Sequence, residues 1–271
     1  MDLFSITGKV VLITGGGGVL GSSMAEYLLK NEATLIILDR REETVDTAIS
    51  RLKKISDKVS GFACNVLDEK SLTSVANEIM ARYGKIDVLI NAAGGNMPGA
   101  TIGVDQTIFD VDIDHFKKVV DLNLFGSILP SLIFGKEMVK HKKGAIINIS
   151  SMTAQSAITR VVGYSASKAA IDNYTKWLAV ALALKFGEGL RVNAIAPGFF
   201  IGNQNRDLLI NKEDGSYTER GDTIIRNTPM KRFGEADELN GSIHYLCSDA
   251  SKFVTGTVLP IDGGFSAFSG V

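Results

Sequence analysis

At 271 residues, 45% of them hydrophobic, the chain can bury a sizeable core as one large α/β domain or two small ones. Its formal net charge of −1 excludes the broad basic surface that nucleic acid or an anionic membrane selects. Cys64 and Cys247 are too few for a disulfide framework, and the opening MDLFSITGKVVLIT carries no leader pattern, so the expected location is the cytoplasm.

KVVLIT (9–14) opens the chain as a β-branched apolar run, the kind of strand that is buried on both sheet faces. A helical stretch follows through Lys30. ATLIILD (33–39) reads as a strand, 41–56 as a charged helix, VSGFACNV (59–66) as a strand and 68–83 as a helix. KIDVLINAAGG (85–95) is a fourth strand ending in glycines. After a loop come a helix to about residue 140, the strand GAIINISS (144–151), a long helix over 163–186 and the strand LRVNAIAPG (190–198). Residues 199–230 read as an irregular polar stretch, 235–248 as a helix and TGTVLPIDGG (255–264) as the last strand. No run approaches the ~18 apolar residues of a membrane span. Strands alternating with helices need crossovers, hence a parallel sheet covered on both faces. Seven strands use the whole length, so the expectation is a single doubly wound α/β domain over 1–271.

The first crossover carries four consecutive glycines, TGGGGVLG (14–21). A strand passing into a helix through bare backbone turns amide groups towards a phosphate at the positive helix terminus. Gly16, Gly18 and Gly21 fit Gly-x-Gly-x-x-Gly, and Asp39 stands at the end of the second strand, where a carboxylate accepts from both ribose hydroxyls and repels a 2′-phosphate. Arg40 and Arg41 follow it and can hold such a phosphate. NAD is the expected cofactor, with NADP the alternative.

GYSASKAA (163–170) sets Tyr164 and Lys168 one helical turn apart. A free phenol, with a pKa of about 10, is a poor acid–base catalyst near neutrality; a nearby ammonium is expected to lower that value. Ser151, at a strand end, can donate to a carbonyl or hydroxyl oxygen, and Asn123 is a polar residue in an otherwise apolar helix. His115, His141 and His244 are scattered, with no metal-ligand spacing.

Together these pieces resemble the classical short-chain dehydrogenases/reductases over essentially the whole length. The resemblance rests on TGGGGVLG (14–21), NAAGG (91–95), LNLFG (122–126), INISS (147–151), YSASK (164–168), RVNAIAPG (191–198) and VTGTVLPIDGG (254–264). It implies hydride transfer at a nicotinamide, with Tyr164 as acid–base and Ser151 orienting the reacting oxygen. Lys168 would hold the nicotinamide ribose and tune Tyr164, and Asn123 would anchor a water of the proton relay. Asn91 would brace the sheet, while Ala92, Ala93 and Gly94 line the cofactor, together with Gly15, Gly17, Gly18, Leu20, Arg40, Val66, Pro197 and Gly198. Homotetramers are also implied.

Two positions depart from the family pattern. Val19 stands where the middle glycine of Thr-Gly-x-x-x-Gly-x-Gly is expected; the reading is that Gly16–Gly18 make the bend one residue earlier and free the Val19 and Leu20 amides. Asn65 replaces an acidic residue beside the adenine, and its amide both donates and accepts.

For the substrate, IGNQNRDLL (201–209) is dense in amides where an apolar substrate would need apolar cover. Asn96, Gln155 and Asn203 are candidate hydrogen-bond partners; Arg206, then Arg160, is the candidate for a carboxylate. Residues 199–230 are the expected lid. Stretches such as NAAGGNMPGAT (91–101) and APGFFIGNQNRDLL (196–209) are similar to sugar-acid enzymes, above all the D-mannonate oxidoreductases (fructuronate reductases) of the short-chain type. Gluconate 5-dehydrogenases and other polyol dehydrogenases share much of this pattern. A 3-oxoacyl-carrier-protein reductase is the enzyme rival, and a non-catalytic dinucleotide sensor the non-enzyme one.

Overall fold

In a computed structural model, which describes residues 2–202 and 205–270, the strands form one parallel sheet. In sequence order they are β1 (Val10–Thr14), β2 (Thr34–Asp39), β3 (Val59–Ala63), β4 (Val88–Asn91), β5 (Gly144–Ile149), β6 (Leu190–Pro197) and β7 (Val258–Ile261). Their spatial order is β3-β2-β1-β4-β5-β6-β7, so the winding reverses between β1 and β4, where open α/β sheets bind ligands.

The central strands are buried along their length and largely apolar because both of their faces are covered. Along β1, Val11 and Ile13 join the cluster beneath α1 (Val19–Lys30), α2 (Glu42–Leu52) and α9 (Asn240–Cys247); Val10 and Leu12 join the opposite one. That second layer is built by α3 (Glu69–Tyr83), α5 (Gly126–Lys140) and α6 (Val162–Phe186). α3 starts on Asp68, whose carboxylate accepts from the Lys70 and Ser71 amides, and stops on Gly84 at φ 71°.

Three segments depart from the sequence reading. The helix to residue 140 is α4 (Ile113–Val120), a wide turn over Asp121–Phe125 with i→i+5 bonds, and α5. The continuous stretch 113–140 is long and apolar enough to cross a bilayer, but Phe134 and Met138 are fully buried against the sheet. Residues 199–230 are not irregular: α7 (Arg206–Leu209) and α8 (Glu219–Asn227) enclose their own small core of Leu209, Ile224 and Phe233. β7 is also shorter than the expected 255–264: it is confined to the apolar run Val258–Ile261, beyond which Gly263 and Gly264 turn the backbone away.

Candidate active site

The C-terminal ends of β1, β4 and β5 supply the centre. Thr14, Asn91 and Asn148 sit side by side in register. The Thr14 hydroxyl accepts from the Ala92 and Ala93 amides at 3.1 Å each, which folds the β4 end over the glycine corner. Asn91 Nδ2 donates to Ser131 Oγ and Asn148 Oδ1, both at 2.8 Å, and Asn148 Nδ2 continues the series to Thr175 Oγ1 at 2.8 Å. This buried polar row locks β4 to β5, α5 and α6.

At the glycine corner the left-handed residue is Gly15, at φ 67°. A Cβ there would also lie 2.8 Å from Ala93 Cα. Gly16, Gly17 and Gly18 have no such φ, and Gly18 is the N-cap of α1 at φ −73° and ψ 171°. Val19 is therefore an ordinary first helical residue with an exposed side chain. The expectation that Gly16–Gly18 make the bend is corrected to Gly15. Gly18 provides no side-chain cap, so the first-turn amides at Val19 and Leu20 remain for an anion. The Asp39 carboxylate faces this corner: a Cβ on Gly17 would lie 3.0 Å from its Oδ2. Arg40 is exposed, and Arg41 Nε is engaged by Thr44 Oγ1 at 3.1 Å. An uncapped helix start, a glycine-lined approach and an acidic group at the β2 end fit a dinucleotide.

Around this crevice, Val66 is buried against Gly126, and Asn65 closes a turn by accepting from the Leu67 amide at 3.1 Å. Leu20 packs on the core. Pro197 ends β6, and Gly198 donates its amide to Ile261 at 2.9 Å where a Cβ would strike Asp262.

Ser151 stands two residues past the end of β5. Its hydroxyl accepts from the Thr153 amide at 3.2 Å and lies against Tyr164. Tyr164 is in the first turn of α6. Lys168, one turn on, is buried, with Nζ 5.4 Å from the Tyr164 ring centroid and 2.6 Å from Ile149 O, to which it donates.

The electrostatics reverse one expectation. Burial pushes the Tyr164 phenol up from its usual value, and the Ser151 hydroxyl counteracts it; the phenol is not depressed. The ammonium lies over the Tyr164 ring, and its charge is itself disfavoured: burial brings Lys168 down to about 8. Asp172, a further turn along α6, works in the other direction on Lys168. Ser150 donates to the Asp172 carboxylate, which burial pushes up. Sequence reasoning passed over both Asp172 and Ser150; the signal was a carboxylate one turn beyond Lys168.

Asn123 is fully buried in the wide turn of Asp121–Phe125. Its Nδ2 donates to Gly95 O at 2.7 Å and Val119 O at 2.8 Å, and its Oδ1 accepts from the Gly95 amide at 3.0 Å. Its side chain thus pins the Gly94–Gly95 turn; its carbonyl, which accepts from Ser127 Oγ at 3.2 Å, is what remains to anchor a water. A Cβ on Gly94 would lie 2.8 Å from Asn123 Oδ1 and 3.5 Å from Lys168 Nζ, so these groups meet at one point.

A sequence model described as enoyl-(acyl carrier protein) reductase, from the short-chain dehydrogenase/reductase family, matches residues 18–266. The chain belongs to the short-chain dehydrogenase/reductase family. As such, it is an oxidoreductase that acts on alcohol groups. It is 45% identical over 276 residues to the uncharacterized oxidoreductase UxuB of Bacillus subtilis, with 98% of each chain covered. It is 33% identical to a 2-dehydro-3-deoxy-D-gluconate 5-dehydrogenase of Formosa agariphila, covering 100% of this chain and 97% of the relative. Among solved structures, a provisionally named D-mannonate oxidoreductase from Haemophilus influenza with bound NAD superposes with a TM-score of 0.91 at 42% identity, covering 100% of both chains. A gluconate 5-dehydrogenase from Burkholderia cenocepacia, in complex with NADP and tartrate, gives 0.86 at 30% identity and 98% coverage of each.

In this short-chain dehydrogenase the candidate substrate residues divide. Asn96 donates to Thr101 Oγ1 at 2.7 Å, while its Oδ1 is buried without a partner among the described residues. Gln155 does not join Ser151. The 3₁₀ turn Met152–Ala154 carries it to a separate cleft of about 610 Å³, also lined by Asp172, Asn173 and Lys176. Arg206 is exposed, because the single turn of α7 puts Leu209 inward instead. Arg160 is half-buried, and its Nε donates to Ile102 O at 2.6 Å. Asn203 lies outside the described residues.

Proposed function

We propose that the protein is an NAD-dependent, cytoplasmic oxidoreductase of sugar acids that interconverts D-mannonate and D-fructuronate. The observation that carries the reading is the Ser151–Tyr164–Lys168 group at the β5 end beside a glycine corner faced by Asp39. The likeness to the NAD-bound D-mannonate oxidoreductase supports the substrate.

NAD, when bound, accepts or supplies the hydride; the protein's residues handle the proton and the oxygen. In the reductive direction the fructuronate C5 carbonyl becomes a secondary alcohol. Ser151 donates to the carbonyl oxygen, and Tyr164 delivers the proton as negative charge develops there. The upward displacement of the phenol suits this role, because at neutral pH the hydroxyl holds its proton until an oxyanion draws on it. Lys168 offers its ammonium to the nicotinamide ribose and the ring of Tyr164. Residues 199–230 act as the lid over the substrate.

Purified protein assayed with NADH and NADPH against D-fructuronate, 5-ketogluconate and an acetoacetyl thioester tests the reading by the nicotinamide absorbance. D-Fructuronate with NADH is expected to turn over fastest. A preference for the thioester with NADPH would overturn it.

Asp39→Asn is expected to weaken NADH binding by about ten- to hundredfold, the worth of a hydrogen bond to a charged acceptor. NADPH should then bind comparatively better, since the repulsion against a 2′-phosphate is gone. Titration of both cofactors by fluorescence measures the change.

A pH dependence follows from Lys168. Below about 8 the side chain is an ammonium and above it an amine, so NADH affinity is expected to fall as pH rises through that value. Asp172→Asn removes the charge that supports the cation, and the loss should begin at lower pH. An affinity profile flat to pH 10 in both proteins would remove Lys168 from the site.

The homotetramer is the proposed assembly. Trp177, Val180 and Leu184 leave an exposed apolar stripe on α6, Leu132 is exposed on α5, and a second copy would cover them. Light scattering reads the state directly.

A further inference from the structure

The sequence offered one arginine or another for a carboxylate; the geometry points to a pair, Arg160 and Arg220, as its receptor. This deepens the sugar-acid reading and rests on it. Arg220 is the second residue of α8, within the lid. Its guanidinium reaches across to Thr159, with Nη1 3.4 Å from the hydroxyl and Nη2 3.5 Å from the carbonyl. These contacts are long, and they hold the side chain beside Arg160 without neutralising it.

Arg160 is fixed more firmly. It takes φ 77°, a left-handed conformation that an arginine adopts at a cost. Its carbonyl and side chain both engage Ile102: the Ile102 amide donates to Arg160 O at 3.0 Å, and Arg160 Nε donates to Ile102 O at 2.6 Å. Among the described residues its Nε is the guanidinium nitrogen that is engaged. Three segments therefore converge here: the loop after β4, the loop between Ser151 and α6, and the lid.

Burial disfavours the charge on Arg220, and the neighbouring Arg160 cation adds to the effect. Among the described residues no carboxylate lies within 4.0 Å of either guanidinium. A half-buried pair of like charges is costly unless an anion joins it, and two guanidinium forks match the oxygens of a carboxylate. Position agrees with the chemistry. Arg160 is four residues before Tyr164, so their Cα atoms are within about 14 Å, a span that two side chains and a six-carbon acid can bridge. With its carboxylate between Arg160 and Arg220, the substrate would also hold the lid against the Ser151–Tyr164 loop.

The decisive variant is Arg220→Ala, because Arg160→Ala also removes the bond to Ile102. D-Mannonate and uncharged D-mannitol are titrated by calorimetry in the presence of NADH, and D-fructuronate and uncharged D-fructose are compared as substrates. Wild-type protein should prefer the acids. Arg220→Ala should weaken D-mannonate binding and raise the KM for D-fructuronate by about ten- to hundredfold. NADH affinity and any turnover of D-fructose should be unchanged, and Arg220→Lys should recover part of the loss. Unchanged acid binding in Arg220→Ala, or an equal loss for acid and neutral ligands, overturns the receptor and leaves the sugar-acid reading standing. Wild-type protein that neither binds nor turns over any sugar acid overturns both.

Discussion

Tyr164→Phe is expected to lower turnover of D-fructuronate on the order of 100- to 10,000-fold while leaving NADH affinity nearly unchanged. The substitution removes one oxygen from the first turn of α6 and keeps the ring that Lys168 Nζ faces at 5.4 Å, so the cation–ring contact survives. Ser151 keeps its bond from the Thr153 amide and can still polarise the carbonyl. What is lost is the proton donor. The raised phenol also sets a direction for the pH profile. Reduction needs the protonated hydroxyl, which is the form present at neutral pH, so its rate should be flat there. Oxidation of the alcohol needs the phenolate, so its rate should climb with pH. A Phe variant that retains activity, or an oxidation rate indifferent to pH, would assign the proton to another group.

The sheet was legible because its strands are buried on both faces. Runs such as VVLIT and GAIINI have no polar face to confuse with a helix, and glycines or charged residues bracket them. Tyr164 and Lys168 were legible for a similar reason: two polar residues one turn apart stand out on a helix that otherwise packs. What escaped was set by contacts distant in sequence or by turns without a periodic signature. The wide turn at Asp121–Phe125 changes the bonding register by one residue and leaves no mark on hydrophobic spacing. The folded lid rests on only Leu209, Ile224 and Phe233, too sparse to register against charged neighbours. Gln155 was misplaced because the 3₁₀ turn that follows Ser151 leaves no periodic signal in the sequence. The phenol was expected to be lowered because the lysine was visible in the sequence, whereas the burial that outweighs it is a property of the fold.

The second large effect belongs to the backbone of the glycine corner. Gly21→Ala is expected to abolish NADH binding and destabilise the fold. Alanine is the better helix former by about 1 kcal/mol, which alone would favour the variant in α1. Its Cβ, however, would sit 2.4 Å from Gly15 O and 3.0 Å from Gly16 Cα. Both neighbours are main chain, and Gly15 is held in turn by its amide bond to Leu38 O at 2.7 Å and by the nearby Ala92–Ala93 turn. The helix must therefore move. Overpacking of this kind costs about 1–3 kcal/mol, and each kcal/mol lowers Tm by about 2–4 °C in a domain of this order of size. Any shift of α1 also carries the Val19 and Leu20 amides away from the phosphate position. Gly18→Ala is the matched control: its Cβ meets Gly15 O only at 3.4 Å, and the N-cap backbone is open to any residue, so binding should persist. Val19→Gly, which restores the family's middle glycine, is expected to bind NADH no more tightly, because Val19 begins a regular helix with its side chain exposed. Melting curves with and without NADH separate these outcomes. If Gly21→Ala binds normally or Gly18→Ala does not, the corner is not shaped by the Gly15–Gly21 contact.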